Sequence, residues 1–423
     1  MSAASGSGES DGSTRAVVVD DSRFMRTLIR NLLEDGGVDV IGEAKNGSEA
    51  VEAVCERDPD VVTMDIEMPS MNGLEAVDAI MREHPTPVLM LSAHTEEDAD
   101  VTFEALDRGA VDFVTKPGGE VTSSMPRVKQ ELVEKVESAA RVDLSADARA
   151  AAPHRSSASA DARAGSVGTA EPGGASSAGA RSSTGARSTR DAERSPPTNG
   201  STTAREATTA SAADREPTPT STRDSKRCYP DVGTLVVGAS TGGPNVVERV
   251  VSELPRAANL RVLVVQHMPE GFTERFAARL DERSAYAVRE AASGEQIEAG
   301  EARVAPGGKH LLTTSDRNGR LKLELTETEQ IHGVRPAIDL TMASTVETVD
   351  GPLCGVLLTG MGRDGVDGMR RIARSGGYTV AQDETTSAIF GMPRRAIETG
   401  CVDVVAAAGD VAPSALEFFA EEE

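Results

Sequence analysis

Residues 233–254 read GTLVVGASTGGPNVVERVVSEL. The apolar run GTLVVGA has the composition of a strand buried on both faces. After the glycine-rich break, Pro244 opens an apolar-periodic stretch that predicts a helix. Strand, glycine turn and helix in this order form the βα unit of a parallel sheet, and the turn lies at the edge where such sheets do their chemistry. Two devices use this setting: a phosphate cradle of backbone N–H groups, and a nucleophile elbow that holds one serine hydroxyl outward. The phosphate patterns fail. No lysine follows Gly243, as a P-loop requires, and Gly238-Ala-Ser-Thr-Gly-Gly lacks the dinucleotide spacing. Gly238-x-Ser240-x-Gly242 has the elbow spacing, although many glycine turns carry a serine without chemistry.

The same segment repeats the unit. TLVVGAS, RVLVVQH, GVLLTG and YTVAQD read as strands, and VVERVVSEL, GFTERFAARLDERS, PAIDLTMASTVETV and DGMRRIARSG as helices. EARVAPGGKHLLTTSDRNGRLKLEL reads as a strand-rich meander with a hairpin at Asn318-Gly319. Residues 229–423 are expected to form a doubly wound α/β domain with a mainly parallel sheet, mixed rather than purely so. A serine hydroxyl needs a base. Of the six histidines, His84 and His94 belong to an N-terminal segment and His154 to a low-complexity stretch. His310 sits in the meander as a core or solvated side chain. His267 ends the strand after the Ser240 unit, and right-handed crossovers bring neighbouring strand ends to one edge. It is the leading base, with His332 in QIHGVRPAID as the alternative. Asp364 in GVLLTGMGRDG offers a carboxylate to orient the imidazole. Asp339 and Asp383 compete for that place, and an N-cap or a turn is the simpler role for such residues.

Residues 15–140 alternate in the same way, with AVVVDD, VDVIGEA, DVVTMD, PVLMLSA and VDFVTK as strands between helical patterns. Asp20 and Asp21 end the first of these, Asp65 the third, Ser92 the fourth and Lys116 the fifth. Three carboxylates converging on one sheet edge repel unless a hard cation neutralises them, and Mg²⁺ suits oxygen ligands of this kind. A single aspartate after a strand is more often a helix cap; polar residues at four strand ends are harder to explain that way.

At 423 residues the chain exceeds one ordinary core. Its net charge of −24 opposes binding to nucleic acid or anionic lipid through a general basic surface. Lysine is scarce among the basic residues, a balance similar to that of proteins kept soluble at high salt. The four cysteines form no C-x-x-C pair, which points to free thiols rather than zinc or disulfides. Residues 1–14 lack the basic and apolar regions of a signal peptide, and no apolar run approaches a membrane span, so a cytoplasmic protein is expected. Residues 141–228, rich in Ser, Ala, Gly, Thr and Arg without periodicity, read as a disordered linker that gives reach but little positional control, and 1–14 as a disordered N-terminus.

On VVVDDS, VTMDIEMPSMNG, LSAHT and FVTKP, residues 15–140 resemble a response-regulator receiver domain. The resemblance implies a flavodoxin-like fold with a five-stranded parallel sheet and Asp65 as phosphoacceptor, charged by a chemotaxis histidine kinase. It makes Asp20, Asp21 and Asp65 ligands of Mg²⁺, and Ser92 and Lys116 contacts of the phosphoryl group. Phe113 takes the switch-aromatic position, and the Lys116–Pro117 bond is expected to be cis. GASTGGP, QHMPEGFT, GVRPAIDL, LLTGMGRDG and AQDETTSAIFGMP together resemble the catalytic domain of the chemotaxis protein-glutamate methylesterases (CheB). That resemblance puts the triad on Ser240, His267 and Asp364. Backbone donors near Thr241 or Met361 would receive the oxyanion, and His332, if not the base, is a candidate substrate-loop residue. It further implies hydrolysis of glutamate γ-methyl esters on methyl-accepting chemotaxis receptors, deamidation of receptor glutamines, no cofactor for the esterase reaction, and a receiver that covers the catalytic face until phosphorylated. The linker is longer than the family's usual one. The alternative is a receiver-domain adaptor or regulator without catalytic activity. A transcription regulator would need a basic helix-turn-helix, which the acidic second domain does not offer.

Overall fold

Val17, Val18 and Val19 are fully buried, as the run RAVVV requires of a strand covered on both faces. They belong to β1 (Arg15–Val19), followed by α1 (Arg23–Glu34), β2 (Asp39–Ala44), α2 (Gly47–Arg57), β3 (Val61–Asp65), α3 (Gly73–Glu83), β4 (Val88–Ser92), α4 (Glu96–Asp107), β5 (Asp112–Thr115) and α5 (Met125–Ala139). This computed structural model describes residues 13–92, 96–116, 125–142, 144, 228–229 and 231–420. The strands form a five-stranded sheet in the order β2-β1-β3-β4-β5, with every pairing parallel. Side-chain caps set the helix starts. Ser22 and Asn46 accept first-turn amides, and Asn72 forms a reciprocal capping box with Glu75.

The chain resumes with β6 (Gly233–Ala239), α6 (Gly243–Ser252), β7 (Leu260–Gln266), α7 (Phe272–Arg283), β8 (Ala287–Glu290), β9 (Gln296–Ile297), β10 (Glu301–Val304), β11 (His310–Arg317) and β12 (Arg320–Thr326). It continues through α8 (Ile338–Thr348), β13 (Leu353–Leu357), α9 (Val366–Arg374), β14 (Tyr378–Gln382), α10 (Met392–Glu398), β15 (Val404–Ala406) and α11 (Val411–Phe419). Seven strands run parallel in the order β15-β14-β13-β6-β7-β10-β8. Strand β6 is central. The chain first builds outward through β7, then returns to place β13 on the other side, so the end of β6 is a topological switch point.

The expected meander divides in two. EARV is β10, a parallel strand between β7 and β8, whereas β11 and β12 form an antiparallel hairpin joined by β9 into a separate three-stranded sheet. The antiparallel pairing is thus segregated rather than mixed into the main sheet. Asn318 and Gly319 turn the hairpin with φ of 55° and 77°, the double left-handed conformation for which Asn-Gly is suited. The Lys116–Pro117 bond, His94, His154 and nearly all of 141–228 lie outside the described residues. All four cysteines are free, and no described helix is long and apolar enough to cross a membrane.

Candidate active site

Ser240 follows β6 directly, in the turn before α6. Its amide donates to the Thr359 carbonyl at 3.0 Å, and its carbonyl accepts from the Gly243 amide and the Gln266 side-chain amide, each at 2.8 Å. Ser240 keeps a negative φ; the left-handed residue of the turn is Gly242, at φ 72°. The turn therefore exposes the serine by shifting the unusual backbone two residues on, where glycine carries no Cβ penalty. A Cβ on Gly360 would lie 2.7 Å from Ser240 Cβ, so only glycine lets the GMG loop cross the elbow.

His267 is the residue after β7, and its amide donates to the Ala239 carbonyl at 3.1 Å. Its Nε2 lies 2.9 Å from Asp364 Oδ2. Asp364, in the loop between β13 and α9, is 2% exposed, and donors occupy both of its oxygens. The Ile338 amide reaches Oδ2 at 2.7 Å, while the Asp339 and Gly365 amides reach Oδ1 at 3.0 Å each. Burial alone would push this carboxyl up. The His267 bond and charge, together with the Asp339 and Ile338 amides at the start of α8, outweigh it and hold Asp364 below its ordinary value. An ionised carboxylate only accepts, so Nε2 carries the imidazole proton and Nδ1 has the lone pair. Among the described residues the Ser240 hydroxyl has no hydrogen-bond partner.

The competitors point elsewhere. Asp339 turns its carboxylate to His332 Nε2 at 3.1 Å and to the Gly368 amide at 2.7 Å. Burial and the neighbouring Asp364 charge raise its pKa. Asp383 closes a turn by accepting from the Thr386 amide and hydroxyl. Among the described residues, His332 is joined to the His267–Asp364 pair only through Asp339, whose backbone amide touches Asp364. Thr241 and Met361 flank the elbow, and no hydrogen bond among the described residues occupies either backbone amide. Sequence reasoning missed Gln266, which staples the elbow to the His267 strand, and Thr359, whose hydroxyl donates to the Thr241 carbonyl at 3.0 Å and accepts from the Ile389 amide at 2.8 Å. Their signal was present, since both are polar residues closing apolar strand runs.

In the first sheet, Lys116 Nζ lies 2.6 Å from Asp65 Oδ1 and 3.1 Å from Asp20 Oδ2. Asp20 and Asp65 are buried and Asp21 is exposed, with one carboxylate oxygen from each within 4.8 Å of the others. An all-oxygen set of this size fits a hard divalent cation such as Mg²⁺. Burial pushes the Asp65 carboxyl up to about 6 against the pull of Lys116. Ser92 ends β4 on the same edge, and its Oγ accepts from the Thr102 hydroxyl at 3.0 Å.

Residues 16–122 match the family model described as response regulator receiver domain, and 235–414 the model described as CheB methylesterase. A relative from Haloarcula marismortui, named protein-glutamate methylesterase/protein-glutamine glutaminase, is 51% identical over 403 residues, spanning 95% of this chain and 97% of the relative. The chain belongs to the CheB methylesterase family. A second member of that name, from Natronomonas pharaonis, is 47% identical, with 96% of this chain and 98% of the relative covered. The solved catalytic domain of Thermotoga maritima CheB is 37% identical over 44% of this chain and 98% of that chain, with a TM-score of 0.43.

The receiver and methylesterase domains touch through α4, β5 and α5 on one side and α6, α7 and the GMG loop on the other. Phe113 of β5 stacks on Phe272 at 4.8 Å, and Phe103 of α4 stacks on Phe276 at 5.8 Å. Arg279 donates to both Asp107 oxygens, at 2.6 and 2.9 Å, and lies over the Phe103 ring; Glu248 bridges Arg279 and Arg283. Ser138 of α5 is buried with its hydroxyl 3.5 Å from Met361 Sδ. Despite the length of residues 141–228, the domains meet directly.

Proposed function

We propose that the chain is a phosphorylation-gated protein-glutamate methylesterase that also deamidates glutamine, with Ser240 as nucleophile, His267 as base and Asp364 as the orienting carboxylate. The observation that carries this reading is the His267–Asp364 pair beside the serine at the switch point of the sheet. Its substrate would be the γ-methyl ester of a glutamate on a chemoreceptor. Ser240 Oγ attacks the ester carbonyl as His267 Nδ1 takes its proton, and the amides of Thr241 and Met361 receive the negative oxygen. His267 then returns the proton to the departing methoxy group, methanol leaves, and water attacking the acyl-enzyme through the same base frees the glutamate. With a glutamine side chain the leaving group is ammonia. Asp364 keeps the His267 proton on Nε2, so that the free lone pair faces the serine. A serine-directed fluorophosphonate should label Ser240 in the folded chain. Labelling elsewhere, or none, would favour the non-catalytic adaptor.

Gating is supported by the contact between domains. Asp65 is the phosphoacceptor in this reading, with Asp20 and Asp21 completing a Mg²⁺ site, Lys116 and Ser92 meeting the phosphoryl oxygens, and a chemotaxis histidine kinase as donor. The cation supplies charge neutralisation for phosphoryl transfer. Phosphorylated Asp65 draws Ser92 and Lys116 toward it, and Phe113, three residues before Lys116 on β5, packs directly on Phe272, the first residue of the helix after the His267 loop. Ser138 against Met361 places α5 beside a proposed oxyanion donor. The resting receiver restricts access to Ser240, and phosphorylation loosens that contact. Residues 15–140 and 229–423 serve as the two functional domains, with 141–228 as their tether.

A further inference from the structure

His310 opens β11 and is fully buried, and the proposed reaction makes no use of it. Both ring nitrogens are engaged. The Ala337 amide donates to Nδ1 at 3.1 Å, and Nε2 lies 3.0 Å from the Glu329 carbonyl oxygen. An amide donates only to an unprotonated nitrogen and a carbonyl only accepts, so the ring is neutral with its proton on Nε2. Burial lowers the His310 pKa, with the Glu329 carbonyl opposing, the Arg335 charge assisting and the Asp364 charge opposing.

Ala337 is the N-cap of α8 and has no side-chain oxygen to accept a first-turn amide. Three consecutive amides at this helix start take fixed partners instead: Ala337 donates to His310 Nδ1, while Ile338 and Asp339 donate to the two Asp364 oxygens. Farther along α8, Thr341 donates to the Leu311 carbonyl at 2.7 Å, Ser344 accepts from the Thr313 amide at 3.1 Å, and Thr348 donates to the Thr313 carbonyl at 3.1 Å. Strand β11 thus carries α8 along its length. His310 is the attachment at the catalytic end, and a first turn free to rotate there would take two of the four Asp364 partners with it.

We propose that His310 is a positioning residue for ester hydrolysis: by accepting the Ala337 amide it fixes the first turn of α8, and thereby Asp364 and the tautomer of His267. The inference rests on the proposed triad. The full-length protein should be compared with His310→Gln and His310→Asn, each assayed for methanol release from methylated receptor membranes and for thermal midpoint. Asparagine places an acceptor near the Nδ1 position, whereas glutamine reaches toward Glu329 and leaves Ala337 unpartnered. The expected result is a ~10–100-fold loss of kcat in His310→Gln with KM little changed, the scale of a small misplacement of catalytic groups. His310→Asn should recover most of that loss at a similar thermal midpoint. The acid limb of kcat/KM in His310→Gln should move to lower pH, because a histidine with a poorly placed carboxylate holds its proton less tightly. Wild-type kcat in His310→Gln, or equal losses in both variants that track their thermal midpoints with an unmoved acid limb, would overturn the proposal. A Ser240→Ala control separates the two levels: if it stays active the triad itself is wrong, and if it is dead while His310→Gln is unimpaired only the positioning role fails.

Discussion

Replacing Asp364 by asparagine swaps one acceptor oxygen for a donor in a site where all the neighbours are donors. If the amide nitrogen takes the Oδ1 place, it faces the Asp339 and Gly365 amides, and two donors lose their acceptor. If it takes the Oδ2 place, only the Ile338 amide is orphaned, provided His267 moves its proton to Nδ1 so that Nε2 can accept. The second arrangement costs less, about 1–3 kcal/mol for one unsatisfied buried amide. In the proposed mechanism it is also the one that disables the base, because Nδ1, which would face Ser240, then carries the hydrogen. Asp364→Asn should therefore lower folding stability by about 1–3 kcal/mol at neutral pH and lower kcat by about 10⁴, the loss known for a wrong-tautomer triad. The stability difference has a pH signature. Asp364 sits below its ordinary carboxyl value in the folded chain, so its advantage is full above about pH 4 and is lost as pH falls through its folded pKa. Urea unfolding at pH 7 and pH 3.5, with methanol release at pH 7, measures both quantities. A variant that keeps kcat within about tenfold of wild type would refute the assigned tautomer.

The gating account makes two further predictions. Arg279→Ala removes a paired contact to Asp107 and a cation over Phe103, together worth about 1–2 kcal/mol at a partly exposed interface, so unphosphorylated methylesterase activity should rise ~5–30-fold. Unchanged basal rates would mean that this contact does not restrain the enzyme. Asp65→Asn should keep basal activity and lose all stimulation by a small phosphodonor; a response comparable to wild type would remove Asp65 as phosphoacceptor.

The central strands were legible because both faces of a parallel sheet are buried, so β1, β3, β4, β6, β7 and β13 appear as mainly apolar runs. Ser240 and His267 follow directly, each being the first residue past such a strand. Asp364 could not be separated from Asp339 by the same logic. Both sit near a helix start, and only the direction of each carboxylate, one toward His267 and the other toward His332 and Gly368, divides their roles. Strand β10 was grouped with the hairpin rather than the parallel sheet, because its buried positions include Arg303, 1% exposed and neutralised by Glu295 and Glu301. A short strand with buried paired charge lacks the continuous apolar run that marks a parallel strand covered on both faces. Phe272 and Phe276, four apart on α7, have the spacing of an ordinary core stripe. Their rings instead meet the receiver, a use that helical periodicity does not distinguish from burial within one domain.

The claim that Ser240 drives ester hydrolysis is tested most directly by methanol release from methylated chemoreceptor membranes, measured for phosphodonor-treated wild type and Ser240→Ala side by side. The account predicts release by the wild type and a rate at background in the variant, with the two proteins unfolding at the same urea concentration. Methanol release by Ser240→Ala at the wild-type rate would contradict it.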